Sequence, residues 1–146
     1  MANWNKQLYF EDVEVESELD PVSIPLSLQR LVMEAGANRD FSSIHHDKEA
    51  AVATGASDVY MNTFFILGMF ERLLREWMGL RGTIKRIGSL RMKAFNCVGD
   101  VVTYRGKVRE KCEENSAVLV DIWSETQKKG QTVTAEVVVF LPKRSR

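Results

Sequence analysis

A chain of 146 residues is long enough to enclose one hydrophobic core and too short for two comfortable ones, so a single domain over residues 1–146 is expected. Twenty Lys and Arg balance twenty Asp and Glu, which leaves no global positive field to draw in nucleic acid or an anionic membrane surface. No apolar run approaches a bilayer span and Met1-Ala2-Asn3-Trp4-Asn5-Lys6 lacks the apolar stretch of a signal peptide, so a cytoplasmic protein without a membrane partner is expected.

Met1 to Pro25 reads as an irregular lead-in in which Pro21 and Pro25 interrupt any long element, with room for one short strand around Glu14 to Leu19. A first helix follows over Leu28 to Ala35, with apolar residues at helical spacing, Ser27 as its N-cap and Gly36 as its stop. Asp47 is placed to cap a second short helix, Lys48 to Ala53, ending near Gly55. Between the two lies Asn38-Arg39-Asp40-Phe41-Ser42-Ser43-Ile44-His45-His46-Asp47, a loop fixed at both ends that carries a carboxylate and an imidazole five residues apart. Asp40 and His45 are therefore candidates for acid and base chemistry at one spot. His46 reads as structural or solvent-facing.

The third helix, Thr63 to Met78, has first two turns without charge on any face, so that part is expected to be buried all round. Its second half is amphipathic, with Glu71, Arg72, Arg75 and Glu76 opposite Leu73, Leu74, Trp77 and Met78, and Gly79 and Gly82 close it. Long strands follow: Thr83 to Phe95, Asp100 to Glu110, Ala117 to Lys128 and Gln131 to Leu141. Val102, Tyr104, Gly106 and Val108 alternate with Thr103, Arg105, Lys107 and Arg109, the period of a sheet with one wet face. Turn signals at Gly99-Asp100, Glu114-Asn115 and Lys129-Gly130 make the last three strands an antiparallel meander. Cys97 and Cys112 have no metal-ligand spacing and read as reduced structural thiols, and the tail Lys143 to Arg146 as frayed.

One buried helix followed by long antiparallel strands predicts an α+β, hot-dog architecture, a long antiparallel sheet wrapped around a central helix. The open side of such a helix calls for a second copy, with the sheets joined edge to edge, so a dimer is expected.

From Tyr9 to about Leu141 the chain resembles the MaoC-like, or R-specific enoyl-CoA hydratase, branch of the hot-dog superfamily. The family's motif runs Asp, Asn, Pro and then His five residues after the Asp; here it stands as Asp40-Phe41-Ser42-Ser43-Ile44-His45, with serines for the Asn and Pro. Eighteen residues on from His45, where the family has a His and then a Gly opening the central helix, this chain has Asn62 and Thr63. Gly88-Ser89-Leu90-Arg91-Met92-Lys93 and Val98-Gly99-Asp100-Val101-Val102 match the family's strand and turn pattern. Arg39-Asp40-Phe41, Ile44-His45-His46-Asp47 and Val59-Tyr60-Met61-Asn62 look most similar to the small MaoC-like subunits that hydrate steroid side-chain enoyl-CoA thioesters beside a second, related chain.

The resemblance implies an enoyl-CoA hydratase, or 3-hydroxyacyl-CoA dehydratase in reverse, acting on a bulky acyl group. It implies Asp40 and His45 as the pair that grips the water. The Thr63 N–H then serves as the donor to the thioester oxygen, and Asn62 orients the thioester or His45. It implies no metal or redox cofactor, CoA being part of the substrate, and a homodimer, higher homo-oligomer or heteromer with a second MaoC-like chain. A hot-dog acyl-CoA thioesterase and a non-catalytic acyl-CoA-binding partner subunit are the alternatives; retention of both Asp40 and His45 weighs against the second.

Overall fold

The computed structural model describes residues 6–144. In the β-rich half, period-two alternation decides the packing. Val102, Tyr104 and Val108 of one strand, Val118, Val120 and Ile122 of the next, and Val133, Val137 and Val139 of the last are each at most 1% exposed. Positions between them carry Arg105, Arg109, Asp121, Glu125 and Glu136 on the outer face, where they pair with one another. Among the described residues the strands are β1 (Val22–Pro25), β2 (Thr83–Met92), β3 (Val101–Cys112), β4 (Ala117–Thr126) and β5 (Gly130–Phe140). They form one five-stranded antiparallel sheet in the order β1-β3-β4-β5-β2. The expected meander is β3-β4-β5; left-handed backbone leads into it at Gly99 and closes its two turns at Ser116 and Gly130.

Three α-helices are described: α1 (Leu28–Ala37), α2 (Lys48–Ala53) and α3 (Thr63–Met78). Each has a side-chain N-cap, the expected Ser27 and Asp47 for the first two and Asn62 for the third. Ser27 accepts from the N–H of Arg30, Asp47 from Ala50 and Asn62 from Phe65, and loss of such a cap costs about 1 kcal/mol. The core joins the inner sheet face to Phe65, Ile66, Met69, Phe70, Leu73, Leu74 and Met78 of α3. Phe70 and Leu74 are fully enclosed, so truncating either to Ala costs about 3–5 kcal/mol.

Several expectations are corrected. The early strand is β1 at Val22–Pro25, not Glu14 to Leu19, where Glu18 makes only an isolated bridge to Lys107. As an edge strand β1 tolerates Pro25, whose missing N–H breaks no interior ladder. Helix α1 runs through Gly36 to Ala37. Strand β2 stops at Met92, because the N–H groups of Lys93 and Ala94 both turn to the carbonyl of Thr132. The opening turns of α3 are not buried all round: the sheet covers one side, and Thr63, Phe64 and Gly68 face outward with Phe64 61% exposed.

At the tail, Lys143 reaches the carbonyl of Glu113 and Arg144 grips Asp12, so these two are tied down rather than frayed. Ser145 and Arg146, like the Met1 to Asn5 part of the lead-in, lie outside the described residues. Cys97 and Cys112 are free thiols, and Cys97 sits in an isolated bridge to Tyr60 rather than in a strand. No helix among the described residues is long and apolar enough to cross a membrane.

Candidate active site

The position of Asp40 follows from how α1 ends. Asn38 caps the helix, Arg39 swings to φ +56°, and the N–H groups of Asp40 and Arg39 return to the carbonyls of Ala35 (2.9 Å) and Gly36 (3.1 Å). This is the paired 6→1 and 5→2 closure that usually recruits glycine at the left-handed position. An arginine there carries backbone strain, and the Asp40 backbone is fastened to the helix as a result.

The Asp40 carboxylate has two assignments. Its Oδ1 faces the N–H of Ser42 at 3.4 Å, and its Oδ2 lies 3.3 Å from Nε2 of His45. His45 closes a single 3₁₀ turn, Ser43–His45, and is 5% exposed; the Asp40 side chain keeps 28% of its surface. The other ring nitrogen of His45, Nδ1, is 2.8 Å from the backbone carbonyl of Tyr60. A carbonyl only accepts, so Nδ1 carries a hydrogen and Nε2 is the nitrogen offered to Asp40. With Oδ2 also an acceptor when ionised, the contact is favourable only when the pair holds a shared proton or grips a water between its members.

Tyr60 supports the imidazole twice, through that carbonyl and through its ring, which meets His45 edge-on at 5.4 Å between centroids. Phe95 lies on the Tyr60 ring at 4.4 Å. Upstream, Asp58 is held by Lys48 at 2.8 Å; that ammonium, with the N–H of Val59, keeps its carboxyl below the usual carboxylate range. The tether joins α2 to the segment that presents Tyr60, Met61 and Asn62.

These groups share one cavity of about 350 Å³, lined by Asp40, Ile44, His45, Tyr60, Met61, Asn62, Thr63 and the stretch Met92 to Phe95. All four residues named from the sequence are in its wall. Asn62 is 4% exposed, its Oδ1 committed to the Phe65 N–H at 2.8 Å, and its Nδ2 is buried without a partner among the described residues. Thr63 opens α3, where first-turn N–H groups lack intrahelical partners and the positive end of the helix dipole favours an anionic oxygen. Apolar wall comes from Ile44, Met61, Met92, Ala94 and Phe95. His46 is exposed, as expected. A second concavity of about 410 Å³ lies on the outer sheet face, where Arg109 bridges Asp121 and Glu136.

The sequence reading missed Tyr60 as the anchor of His45 and Met92 to Phe95 as the opposite wall. The first acts through a backbone carbonyl, which no side-chain pattern marks. The second hides behind strand-like residues running on to Phe95.

The arrangement of a sheet around α3 is that of the hot-dog proteins. No family model matches the chain. Over 78 residues it is 38% identical to the 3-oxo-4,17-pregnadiene-20-carboxyl-CoA hydratase beta subunit of Mycobacterium tuberculosis, a stretch covering 53% of this chain and 60% of that curated relative's length. Among solved structures it matches a chain of the ChsH1-ChsH2 complex from Mycobacterium tuberculosis at 30% identity and a TM-score of 0.81, over 88% of this chain and 98% of that one. It also matches the (R)-hydratase from A. caviae involved in PHA biosynthesis at 25% identity and a TM-score of 0.81, over 90% and 99% of the two chains. The chain belongs to the MaoC-like, R-specific enoyl-CoA hydratase family of hot-dog proteins.

Proposed function

We propose that this chain is an enoyl-CoA hydratase, equally a 3-hydroxyacyl-CoA dehydratase, with Asp40 and His45 as its acid-base pair. The observation that carries the reading is the 3.3 Å approach of Asp40 Oδ2 to His45 Nε2 in the same cavity as the N-terminus of α3. The named relatives are hydratases, which supports the same reaction.

Hydration of a 2-enoyl thioester needs a base to take a proton from water, an acid to protonate the alpha carbon, and a donor for the negative charge growing on the thioester oxygen. Asp40 and His45 hold the water between Oδ2 and Nε2, and the proton removed as the C–O bond forms returns to the alpha carbon through the same pair. The Thr63 N–H, with the dipole of α3 behind it, receives the enolate oxygen. One such donor is worth about 3 kcal/mol of barrier, and Asn62 orients the thioester by turning its Nδ2, beneath the surface and unpartnered among the described residues, toward the cavity as the substrate binds. In this mechanism no step calls on a metal or a redox cofactor, and CoA enters with the substrate.

The acyl group is bulky, and a steroid side chain fits the name of the 38% relative. The chain works in the cytoplasm, as a homodimer or beside a second MaoC-like chain; the ChsH1-ChsH2 complex is a heteromer of such chains. The residues 1–146 act as one domain. The test is a panel of 2-enoyl-CoA thioesters from crotonyl to steroid side-chain forms, with this chain alone and with any neighbouring MaoC-like chain. Loss of enoyl absorbance without free thiol is the expected result. Release of CoA thiol would make it a thioesterase, and activity unchanged by Asp40→Asn or His45→Ala in the presence of the second chain would make it a non-catalytic partner.

A further inference from the structure

The wall that separates the cavity from the core holds a polar group the proposed reaction does not use. Asn96 is 2% exposed, and neither Nδ2 nor Oδ1 of its amide has a hydrogen-bond partner among the described residues, so turning the amide over changes nothing. Buried amides are normally satisfied. Tyr60 and Cys97 form an antiparallel bridge, and the N–H of Met61 donates to the Asn96 carbonyl at 2.9 Å, which makes Asn96 the cross-strand neighbour of Met61.

Met61 lines the cavity, and its Sδ receives the hydroxyl of Tyr104 at 3.6 Å. Tyr104 is fully enclosed, set edge-on against Phe70. Burial pushes its phenol well above the usual range, so it remains an O–H donor. Among the described residues its acceptor is a thioether, the weakest kind a protein offers. A bare amide and a poorly served hydroxyl thus flank the same methionine.

We infer that Asn96 and Tyr104 hold one internal water behind Met61, so that the back wall of the cavity is a movable thioether resting on a hydrated pair. A partner chain cannot reach the Asn96 amide, both polar atoms of which lie beneath the surface. An acyl tail has no room in a core where Met61, Phe70 and Tyr104 are each at most 2% exposed. One water would answer both needs, accepting from Nδ2, donating to Oδ1 and meeting the phenol, within the two to four partners an internal water requires. Met61 can then leave Tyr104 without orphaning its hydroxyl, and a flexible thioether yields to an acyl group as a branched side chain would not. This last consequence rests on the cavity being the thioester site.

A crystal structure of the wild-type protein that orders internal water is expected to show one water within hydrogen-bonding distance of the Asn96 amide and the Tyr104 hydroxyl. A dry site, or Asn96 bonded directly to Tyr104, overturns the inference. In denaturation experiments on Asn96→Leu, Tyr104→Phe and the double variant, the double change is expected to perturb the folding constant about fivefold less than the product of the single changes, since either alone removes the shared water. Strict additivity overturns it. Asn96→Leu is expected to lower kcat/KM for the bulkiest enoyl thioester about tenfold more than for crotonyl-CoA; equal losses overturn the movable wall. If the wild type hydrates no thioester, the hydratase reading fails, while the water density and the folding cycle still decide the water site.

Discussion

The two ends of α3 are treated in opposite ways. At its C-terminus the helix is closed off by protein: Gly79 donates to the Arg75 carbonyl, the Met78 carbonyl accepts from both Gln7 Nε2 (2.8 Å) and the N–H of Leu8 (3.3 Å), and Arg75 reaches the Gly82 carbonyl at 2.7 Å. At its N-terminus the side chain that caps, among the described residues, is Asn62, which accepts from Phe65 and leaves its own Nδ2 bare. The cavity there gathers the polar side chains of Asp40, His45 and Asn62 beside an apolar wall, whereas the other end is packed with Met78, Leu73 and Leu74. A helix end saturated by its own protein contributes stability. One left partly unsaturated keeps donors for something else.

The sharpest way to break this contrast is at the acid-base pair. Asp40→Asn or His45→Ala is expected to lower hydration of a suitable enoyl-CoA by about a thousandfold, with little change in melting temperature, because both act at the open end. Steady-state rates beside a thermal melt check it, and near-normal turnover in either variant would remove the pair from the mechanism.

Asn62→Asp separates the cap from the donor. A carboxylate still accepts from the Phe65 N–H and suits the helix dipole, so the fold should survive with a loss of about 1–3 kcal/mol for the second, buried oxygen, while exchange of the Nδ2 donor for an oxygen should cost about a hundredfold in kcat. Equal rates would confine Asn62 to capping.

The closed end should answer in the other currency. Gly79 sits at φ +79°, and a Cβ there would meet the Lys6 carbonyl oxygen at 2.5 Å. Gly79→Ala should therefore lose about 2–3 kcal/mol of stability by denaturant titration, with activity per folded molecule unchanged.

The outer sheet face is the control. Arg105 holds the Glu125 carboxyl below the usual range, helped by the indole N–H of Trp123. A carboxyl with a depressed folded pKa stabilises the fold above its unfolded pKa and loses that contribution as pH falls through the folded value. Arg105→Met should flatten the acid limb of the stability curve slightly and leave turnover untouched.

Caps and periodicity made much of this fold legible in the sequence. Ser27 and Asp47 announced two helix starts, the charge-free run from Thr63 announced the third, and alternating valines announced β3, β4 and β5. Helix stops were less legible, because Gly36 looked like the natural left-handed residue while the chain uses Arg39, a choice decided by where Asp40 is fastened. β1 was displaced because the three residues between Pro21 and Pro25 carry almost no pattern and are a strand only by pairing with β3. The exposure of Phe64 could not be read from α3 alone, since it depends on how far one sheet reaches around the helix. Within the site, the side chains were legible and the Tyr60 carbonyl was not.

The account turns on a thioester lying between a carboxylate-imidazole couple and the first amide of a helix. Crystals of the His45→Ala protein, with any required second chain, soaked in a 2-enoyl-CoA test this directly. The expected density has the thioester oxygen within hydrogen-bonding distance of the Thr63 N–H and the beta carbon facing Asp40. A thioester bound with its carbonyl away from α3, or on another face of the chain, would contradict it.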